Sequence, residues 1–273
     1  MPPNEGNPPD GAAAARGLAI GFAGQPAVPH DHRVPVETPV NLIYGSIPFA
    51  VMMATPSDLE DFACGFSFSE GIVDNIQAIR DISVEGSAEG IRLSIALAAG
   101  DMQRHLGRAR NLTGRTGCGV CGIADLSEMP RLQNVAEGSV IASAALARAL
   151  AQAESHQSLN RITHAVHGAA FCSPEGDILL MREDVGRHNA LDKLIGAAMR
   201  KGIAAADGFV LVTSRASYEM VEKTARFGTP VLAAMSAPTS LAIARADACG
   251  VTLVAVARPD GAIVFSRPDR IKA

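Results

Sequence analysis

Short apolar runs alternate with stretches of helical spacing in the second half of the chain. The runs at 209–213, 231–234 and 252–257 have the length and composition of buried strands. Apolar residues over 218–227 and 239–249 recur at helical spacing between them. This alternation is typical of an α/β domain in which helices cover both faces of a mostly parallel sheet.

The region from 141 to 200 continues the same pattern. We expect a helix over 143–157 and two strands that flank a turn at 174–177. Another helix follows, in which Leu191, Leu194 and Ala198 fall on one face. We therefore assign residues 141–273 to a single α/β domain.

The region from 31 to 100 predicts a smaller α+β subdomain. The expected elements are strands at 36–44 and 47–53, a helix with Ser57 as its N-cap, and a hairpin of 79–85 with 91–97. The segments on either side lack periodicity. We expect residues 1–30 to be a disordered tail and residues 101–140 to be a mobile loop.

Composition narrows the possible functions. The formal net charge is −4, which argues against a general nucleic-acid binder because such proteins usually present a basic face. No apolar run approaches the roughly 20 residues that cross a membrane, and the first residues lack the pattern of a secretory signal. We therefore expect a cytoplasmic protein, in a compartment where thiols stay reduced.

The predicted loop carries a pair of cysteines, Cys118 and Cys121, with glycines between and around them. Cysteines three positions apart can sit on one turn with both sulfurs facing the same space, and glycines allow the unusual dihedrals of such a turn. Only the thiolate is a good nucleophile. The nearby Arg110 and Arg115 could favour it.

Four interpretations of this pair remain open from its spacing alone. It could relay sulfane sulfur, supply half of a zinc site, act as a thioredoxin-like redox pair, or pack as two small residues. A zinc site needs two more ligands, and His164 with His167 is a close histidine pair that could supply them. Burial as small apolar residues is the better interpretation of the other three cysteines, Cys64, Cys172 and Cys249.

Polar segments follow several of the predicted strands. The densest, 182–189, comes after one strand and opens the next helix, where α/β folds bind anionic ligands. Arg187 and His188 could contact phosphate there, although a solvated helix cap with local salt bridges explains the cluster about equally well. Similar segments that include Arg215, residues 236–240 and Arg258 follow later strands, so the set predicts one binding crevice.

These motifs together resemble the FdhD family, the formate dehydrogenase accessory sulfurtransferases. The resemblance rests on Cys118-Gly-Val-Cys121-Gly, on Arg182-Glu-Asp-Val-Gly-Arg-His-Asn-Ala-Leu-Asp-Lys193 and on Ser236-Ala-Pro-Thr-Ser-Leu-Ala242, and it extends from about Val34 to Ser266. It implies a cytidine-deaminase-like α/β fold with a mixed sheet covered by helices, and a smaller N-terminal α+β part. It also implies a homodimer.

The resemblance further implies a function. A cysteine desulfurase of the IscS type would load sulfur on Cys118 as a persulfide, with Cys121 as its partner. The sulfur would pass to the molybdenum of a bis(molybdopterin guanine dinucleotide) cofactor, a bound substrate, before the catalytic subunit of formate dehydrogenase receives that cofactor. No tightly held metal of the protein itself is expected. The implied cofactor-binding residues are Ala255, Val256, Ala257, Arg258, Pro259 and Asp260, together with Arg187, His188 and Arg215 of the polar segments.

Two rival functions were weighed against this one. A zinc-dependent deaminase needs a His-x-Glu motif followed by Pro-Cys-x-x-Cys. This chain has no His-x-Glu motif, and the residue directly before Cys118 is Gly117, not proline. A chaperone that docks formate dehydrogenase and shields its cofactor would have no need of the thiols.

Overall fold

The computed structural model of the chain describes residues 11–22, 24–98, 134–135 and 138–273. Cys118, Cys121 and nearly all of the predicted loop at 101–140 lie outside these residues.

A two-stranded antiparallel ribbon opens the described part of the chain. β1 (Ala12–Ala19) pairs with β2 (Val28–Pro35) along its whole length. Ala12 is buried against Leu159, whereas most of the ribbon is exposed. The prediction of a disordered tail over 1–30 is therefore wrong for these strands. So few of their positions are buried that the sequence shows no alternation to signal them.

The smaller N-terminal unit is a four-stranded sheet packed against one helix. Its strands are β3 (Thr38–Tyr44), β4 (Ile47–Ala54), β5 (Ile79–Ser87) and β6 (Gly90–Leu97), in the order β4-β3-β6-β5. The helix α1 (Leu59–Ser69) buries Phe62 and Phe66 in the same apolar cluster as Leu42 and Leu93. The predicted strands, hairpin and helix are confirmed to within a few residues.

The start of α1 differs from the prediction by one residue. Asp58, not Ser57, occupies the N-cap position, with a φ of 53° and no capping hydrogen bond from its side chain. The carboxylate of Asp58 instead lies 3.5 Å from Nε of Arg182. The helix start is therefore held by an ion pair with a residue far away in the sequence and not by a side-chain cap.

The larger sheet has six strands in the order β13-β12-β11-β10-β8-β9. They are β8 (His167–Cys172), β9 (Ile178–Asp184), β10 (Phe209–Val212), β11 (Val231–Ala234), β12 (Thr252–Arg258) and β13 (Gly261–Ser266). Only β10, β11 and β12 are parallel neighbours, and the other pairings are antiparallel. The sheet is mixed, as the family resemblance implied, and the "mostly parallel" prediction is wrong. The short connections before β9 and β13 make hairpins, whereas parallel neighbours need a long crossover.

Helices cover both faces of this sheet, as predicted. They are α2 (Ser143–His156), α3 (Asn160–Thr163), α4 (Arg187–Arg200), α5 (Tyr218–Phe227) and α6 (Ser240–Cys249). Val210 and Val212 of β10 share a core with α4, α5 and α6, whereas Phe209 and Leu211 share one with α2. Alternate side chains of one strand thus fill two separate cores.

The short elements complete the described chain. β7 (Ile141–Ala142) pairs in parallel with β14 (Ile271–Lys272), and 3-10 turns occur at Ile76–Ala78, Ala205–Asp207 and Pro268–Arg270. The longest helices, α2 and α4, have 14 residues each. Within the described ranges, none of the helices has the length and apolar character needed to cross a membrane.

The N-terminal unit joins the larger domain where α1 crosses α4. Glycines line this crossing, and a Cβ atom at Gly65 would lie 1.7 Å from the backbone oxygen of Asp192. A Cβ atom at Gly196 would lie 1.9 Å from the backbone oxygen of Asp61. The two helix backbones therefore pack too closely for any side chain at these positions.

Candidate functional site

The polar segments named above meet at one edge of the six-stranded sheet. β9 runs in the same direction as β10 because both are antiparallel to β8, which lies between them. The carboxyl ends of β9, β10, β11 and β12 therefore share one edge, which we call the strand-end edge. The start of β8 at His167 lies there too, since His167 pairs with Asp184.

Backbone hydrogen bonds tie neighbouring polar segments together at this edge. The N–H of Met235 donates to Val212 (2.9 Å), that of Thr239 to Ala216 (3.0 Å) and that of Val256 to Ser236 (3.1 Å). The prediction that these segments converge is confirmed.

Three helices begin at the strand-end edge, because α4, α5 and α6 follow β9, β10 and β11. The N-cap residues of α4 and α5, Gly186 and Ser217, make no side-chain capping hydrogen bond, whereas Thr239 caps α6 by accepting from the N–H of Ala242 (3.2 Å). In α5, however, the carboxylate of Glu219 interacts with its own backbone N–H. Uncapped helix starts offer free N–H groups and the positive end of the helix dipole. The edge is therefore suited to an anionic ligand.

The dense motif at 182–193 has mostly structural roles. Glu183 accepts hydrogen bonds from the N–H groups of Leu159 and Asn160, both at 2.8 Å, and so holds the start of α3. Arg182 lies 2.7 Å from Asp61 on α1, which also contacts Arg200. These two side chains are structural, but the interpretation as a solvated helix cap with local salt bridges is wrong for them: Glu183 is buried, and both side chains contact segments that are distant in the sequence.

Asp184 is the centre of a fully buried polar clamp. Its carboxylate lies 2.7 Å from Nζ of Lys193 and accepts from the N–H of Thr55 at 3.0 Å and the side-chain amide of Asn189 at 3.0 Å. Lys193 also donates to the backbone oxygen of Thr55 (2.9 Å). These contacts join Thr55, just after β4, to the end of β9 and to α4. They therefore hold the start of α4 in place at the strand-end edge.

Arg187 and His188 are the members of the motif left for a ligand. Nε of Arg187 is buried and finds no hydrogen-bond partner among the described residues. Nε2 of His188 is also buried without a hydrogen-bond partner among the described residues, and it lies 3.8 Å from Oε2 of Glu219 at the start of α5, which is ion-pair distance and too long for a hydrogen bond. His167 is close by, and its pKa is lowered by burial and by the positive charges of Arg187 and His188. The lowered pKa favours the neutral form of His167, so Arg187 is the permanent cation of this neighbourhood, which also holds the carboxylates of Glu219 and the clamped Asp184.

In the stretch at 255–260, some residues are buried in the core and others are exposed at the surface. Ala255 and Ala257 are buried in or beside the core, so only their backbone atoms could meet a ligand. Val256 lies between them, 37% exposed, with a φ of 53°. A β-branched residue in this left-handed region is strained, and such strain concentrates at functional sites.

The rest of this stretch extends past the end of β11 and forms the turn between β12 and β13. Arg258 is exposed and donates to the backbone oxygen of Met235, next to the segment at 236–240. Pro259 and Asp260 form the exposed turn, and Arg215 is exposed after β10. The roles of these residues in binding a cofactor stay predictions.

Sequence analysis missed Glu219, although it stands in the first turn of a helix at the predicted binding edge. It was overlooked because one carboxylate in a first helical turn is common as a partner of the helix dipole. Its contact with His188 joins residues 31 positions apart, which the sequence does not signal.

The three cysteines that the structure describes are unreactive because they are buried. Cys64, Cys172 and Cys249 are free and buried, as predicted. Burial raises the pKa of Cys64 to about 11 and that of Cys172 to about 12, and it also raises the pKa of Cys249. Thiols of this kind are poor nucleophiles near neutral pH.

A metal site finds no support within the described ranges. There, no group of three or more His, Cys, Asp or Glu side chains is arranged to hold a metal ion. His164, in a left-handed conformation at the end of α3, is exposed, and His167 begins β8 at the strand-end edge. The cysteines of the proposed zinc half-site lie outside the described residues.

Known proteins resemble this chain over most of its length. The model of the FdhD/NarQ family matches residues 35–272. A sulfur carrier protein FdhD of Xanthomonas euvesicatoria pv. vesicatoria (strain 85-10) is 51% identical over 239 residues, which cover 87% of this chain and 85% of that protein. Its counterpart in Variovorax paradoxus (strain S110) is 47% identical over 87% of this chain and 86% of that protein.

A solved structure shares the fold. A crystal structure assigned as a formate dehydrogenase accessory protein from Desulfotalea psychrophila superposes with a TM-score of 0.74 and 28% sequence identity. The match covers 96% of this chain and 99% of that one. The family match, the close relatives and the shared fold agree, and the chain belongs to the FdhD/NarQ family.

Proposed function

We propose that this protein is a sulfur carrier that serves formate dehydrogenase. Its relatives are named sulfur carrier proteins, and the similar solved structure is assigned as a formate dehydrogenase accessory protein. The observation that carries the proposal is the burial of Cys64, Cys172 and Cys249, whose pKa values are all raised. Sulfur transfer needs a thiolate, and Cys118 and Cys121 are the cysteines left to supply it.

The loading step is a thiol exchange. The thiolate of Cys118 attacks the terminal sulfur of a desulfurase persulfide, R–S–SH, and an S–S bond forms as the original S–S bond breaks. The products are a Cys118 persulfide and the desulfurase thiolate, so atoms and electrons balance without an added oxidant. This makes the protein a sulfurtransferase, with an IscS-type cysteine desulfurase as donor and Cys121 beside the loaded sulfur. A reducing cytoplasm suits such chemistry.

The acceptor in this proposal is a molybdenum bis(molybdopterin guanine dinucleotide), a bound substrate rich in phosphate. Two features of the strand-end edge fit such a ligand: the buried Nε of Arg187, which has no hydrogen-bond partner among the described residues, and the uncapped start of α4. Arg215 and Arg258 add positive charge, and Val256 offers an exposed apolar side chain. The catalytic subunit of formate dehydrogenase would then receive the cofactor, and a homodimer stays a prediction.

The test is activation of formate dehydrogenase in cells that lack their own sulfur carrier. Wild type should restore formate oxidation and Cys118→Ala should abolish it, because the proposal places the persulfide on Cys118, gives Cys121 only a partner role, and finds the other three thiols buried. Cys249→Ala, a buried thiol in the core, is the matched control and should restore activity. Full activity with Cys118→Ala would contradict the sulfur relay and favour a docking chaperone that needs no thiol.

A further inference from the structure

Two helices meet at the strand-end edge through a ladder of charges with alternating sign. His188 and Asp192 lie four residues apart on α4, and Glu219 and Lys223 lie four apart on α5, so each pair shares one helix face. His188 faces Glu219 at 3.8 Å, and Asp192 faces Lys223 at 2.9 Å. One rung lies at the edge, and the other lies one turn deeper.

The deeper rung is rigidly built. Lys223 donates to Asp192 and Glu70, each at 2.9 Å, and to Oγ of Ser69 at 2.8 Å. Ser69 in turn donates to Asp192 at 2.6 Å. The two carboxylates outweigh the effect of burial and raise the pKa of Lys223, which keeps the ammonium charged. This rung fixes α5 against α4 and so fixes where Glu219 stands.

The outer rung has no such network around it. Both side chains are largely buried, His188 with 13% and Glu219 with 15% of their surface exposed. Burial by itself would raise the pKa of Glu219, but its interactions with His188, its own backbone N–H and Ser217 lower the pKa to about 2. Glu219 is therefore a permanent carboxylate.

The titratable and charged groups around this rung come from four elements. They are His167 on β8, Asp184 on β9, Arg187 and His188 on α4, and Glu219 on α5. Asp184 is already committed to Lys193 and Thr55, so its charge is satisfied within the clamp. Glu219 is therefore the carboxylate that lies next to His188.

We propose that Glu219 is a positioning residue of the strand-end edge, which holds the His188 ring beside Arg187 so that the imidazole and the guanidinium both serve the phosphate of an anionic nucleotide ligand. The inference rests on the proposed function, in which this edge binds a guanine dinucleotide. A fixed carboxylate orients an imidazole in the way that outer-shell partners orient ligand-binding histidines. Without it, the buried ring would lose its charged neighbour and its fixed orientation.

The experiment compares GDP with guanosine, which lacks the phosphates, by calorimetry on the full chain. Glu219→Gln keeps the size of the side chain and removes its charge. Its affinity for GDP should fall about tenfold, the lower end of the effect of orienting partners. Its affinity for guanosine should not change. Glu219→Asp, which restores a carboxylate on a shorter side chain, should recover part of the loss.

The matched control is Glu222→Gln. Glu222 is on the same helix, but it pairs with Arg245 at 3.1 Å, away from His188. This variant should bind GDP like wild type, and thermal unfolding of all variants separates misfolding from a local effect. Unchanged or tighter GDP binding by a folded Glu219→Gln variant, or equal losses for GDP and guanosine, would overturn the proposal. If wild type itself does not prefer GDP to guanosine, the phosphate site of the proposed function fails, and this inference fails with it.

Discussion

At the scale of single residues, the motif at 182–193 shows that a dense polar cluster can serve two purposes at once. Its side chains divide between a buried framework, centred on Asp184 and Lys193, and two residues at the strand-end edge, Arg187 and His188, where we propose that a ligand binds. The sequence could not divide them. The partner that identifies Asp184 as structural is the N–H of Thr55, 129 positions away.

The clamp predicts a large cost for removing its cation. Lys193→Met keeps the length of the side chain but leaves the buried carboxylate of Asp184 without its positive partner. Stranding a buried charge costs about 3 kcal/mol or more in the free energy of unfolding. Urea unfolding followed by circular dichroism measures it.

The control for this prediction is an ion pair of similar geometry at the surface. Arg148 lies 2.5 Å from Asp177, with about half of each side chain exposed. Arg148→Met should cost less than about 1 kcal/mol, because water and salt screen such a pair. Equal costs for the two variants would mean that the clamp is not the buried anchor described here.

At the scale of elements, apolar periodicity located most helices and strands well. The strand at 231–234 and the helix at 218–227 have the predicted limits, since their buried positions repeat at the period of each structure. The ribbon of β1 and β2 was not predicted, because most of its side chains are exposed and give no alternating apolar pattern. The antiparallel edges of the large sheet also escaped, because direction depends on connection length and not on strand composition.

The crossing of α1 and α4 is the element-scale feature most sensitive to mutation. Gly65→Ala would place a methyl group 1.7 Å from the backbone oxygen of Asp192, so the helices must move apart. Overpacking of this kind typically costs 1–3 kcal/mol, and we expect at least about 3 kcal/mol here because the obstacle is backbone. The midpoint of thermal unfolding should fall accordingly.

Gly86→Ala on β5 is the comparison variant. A Cβ atom there meets nothing within 4 Å, so its unfolding midpoint should stay close to wild type. If Gly65→Ala unfolded at the same temperature as Gly86→Ala, the close approach of α1 to α4 would be refuted.

At the scale of the whole molecule, the fold brings separate sequence segments to one edge of the large sheet. The N-terminal unit stabilises that edge through the hydrogen bonds of Thr55 with Asp184 and Lys193. The sequence motifs identified the family and the polar segments, because each follows a strand in an α/β pattern. The alternating charges of α4 and α5 could not be foreseen, since they depend on how two helices pack. The positions of Cys118 and Cys121 relative to the edge lie outside the described residues.

The proposed relay places the transferred sulfur on a thiol of the Cys118–Cys121 pair, where mass spectrometry can detect it. The protein is incubated with a cysteine desulfurase and isotopically labelled cysteine, then digested without reductant. We predict one labelled sulfur on the peptide that holds Cys118 and Cys121, removed by reduction and absent from Cys118→Ala. An unlabelled peptide from wild type, or label found instead on Cys64, Cys172 or Cys249, would contradict the account.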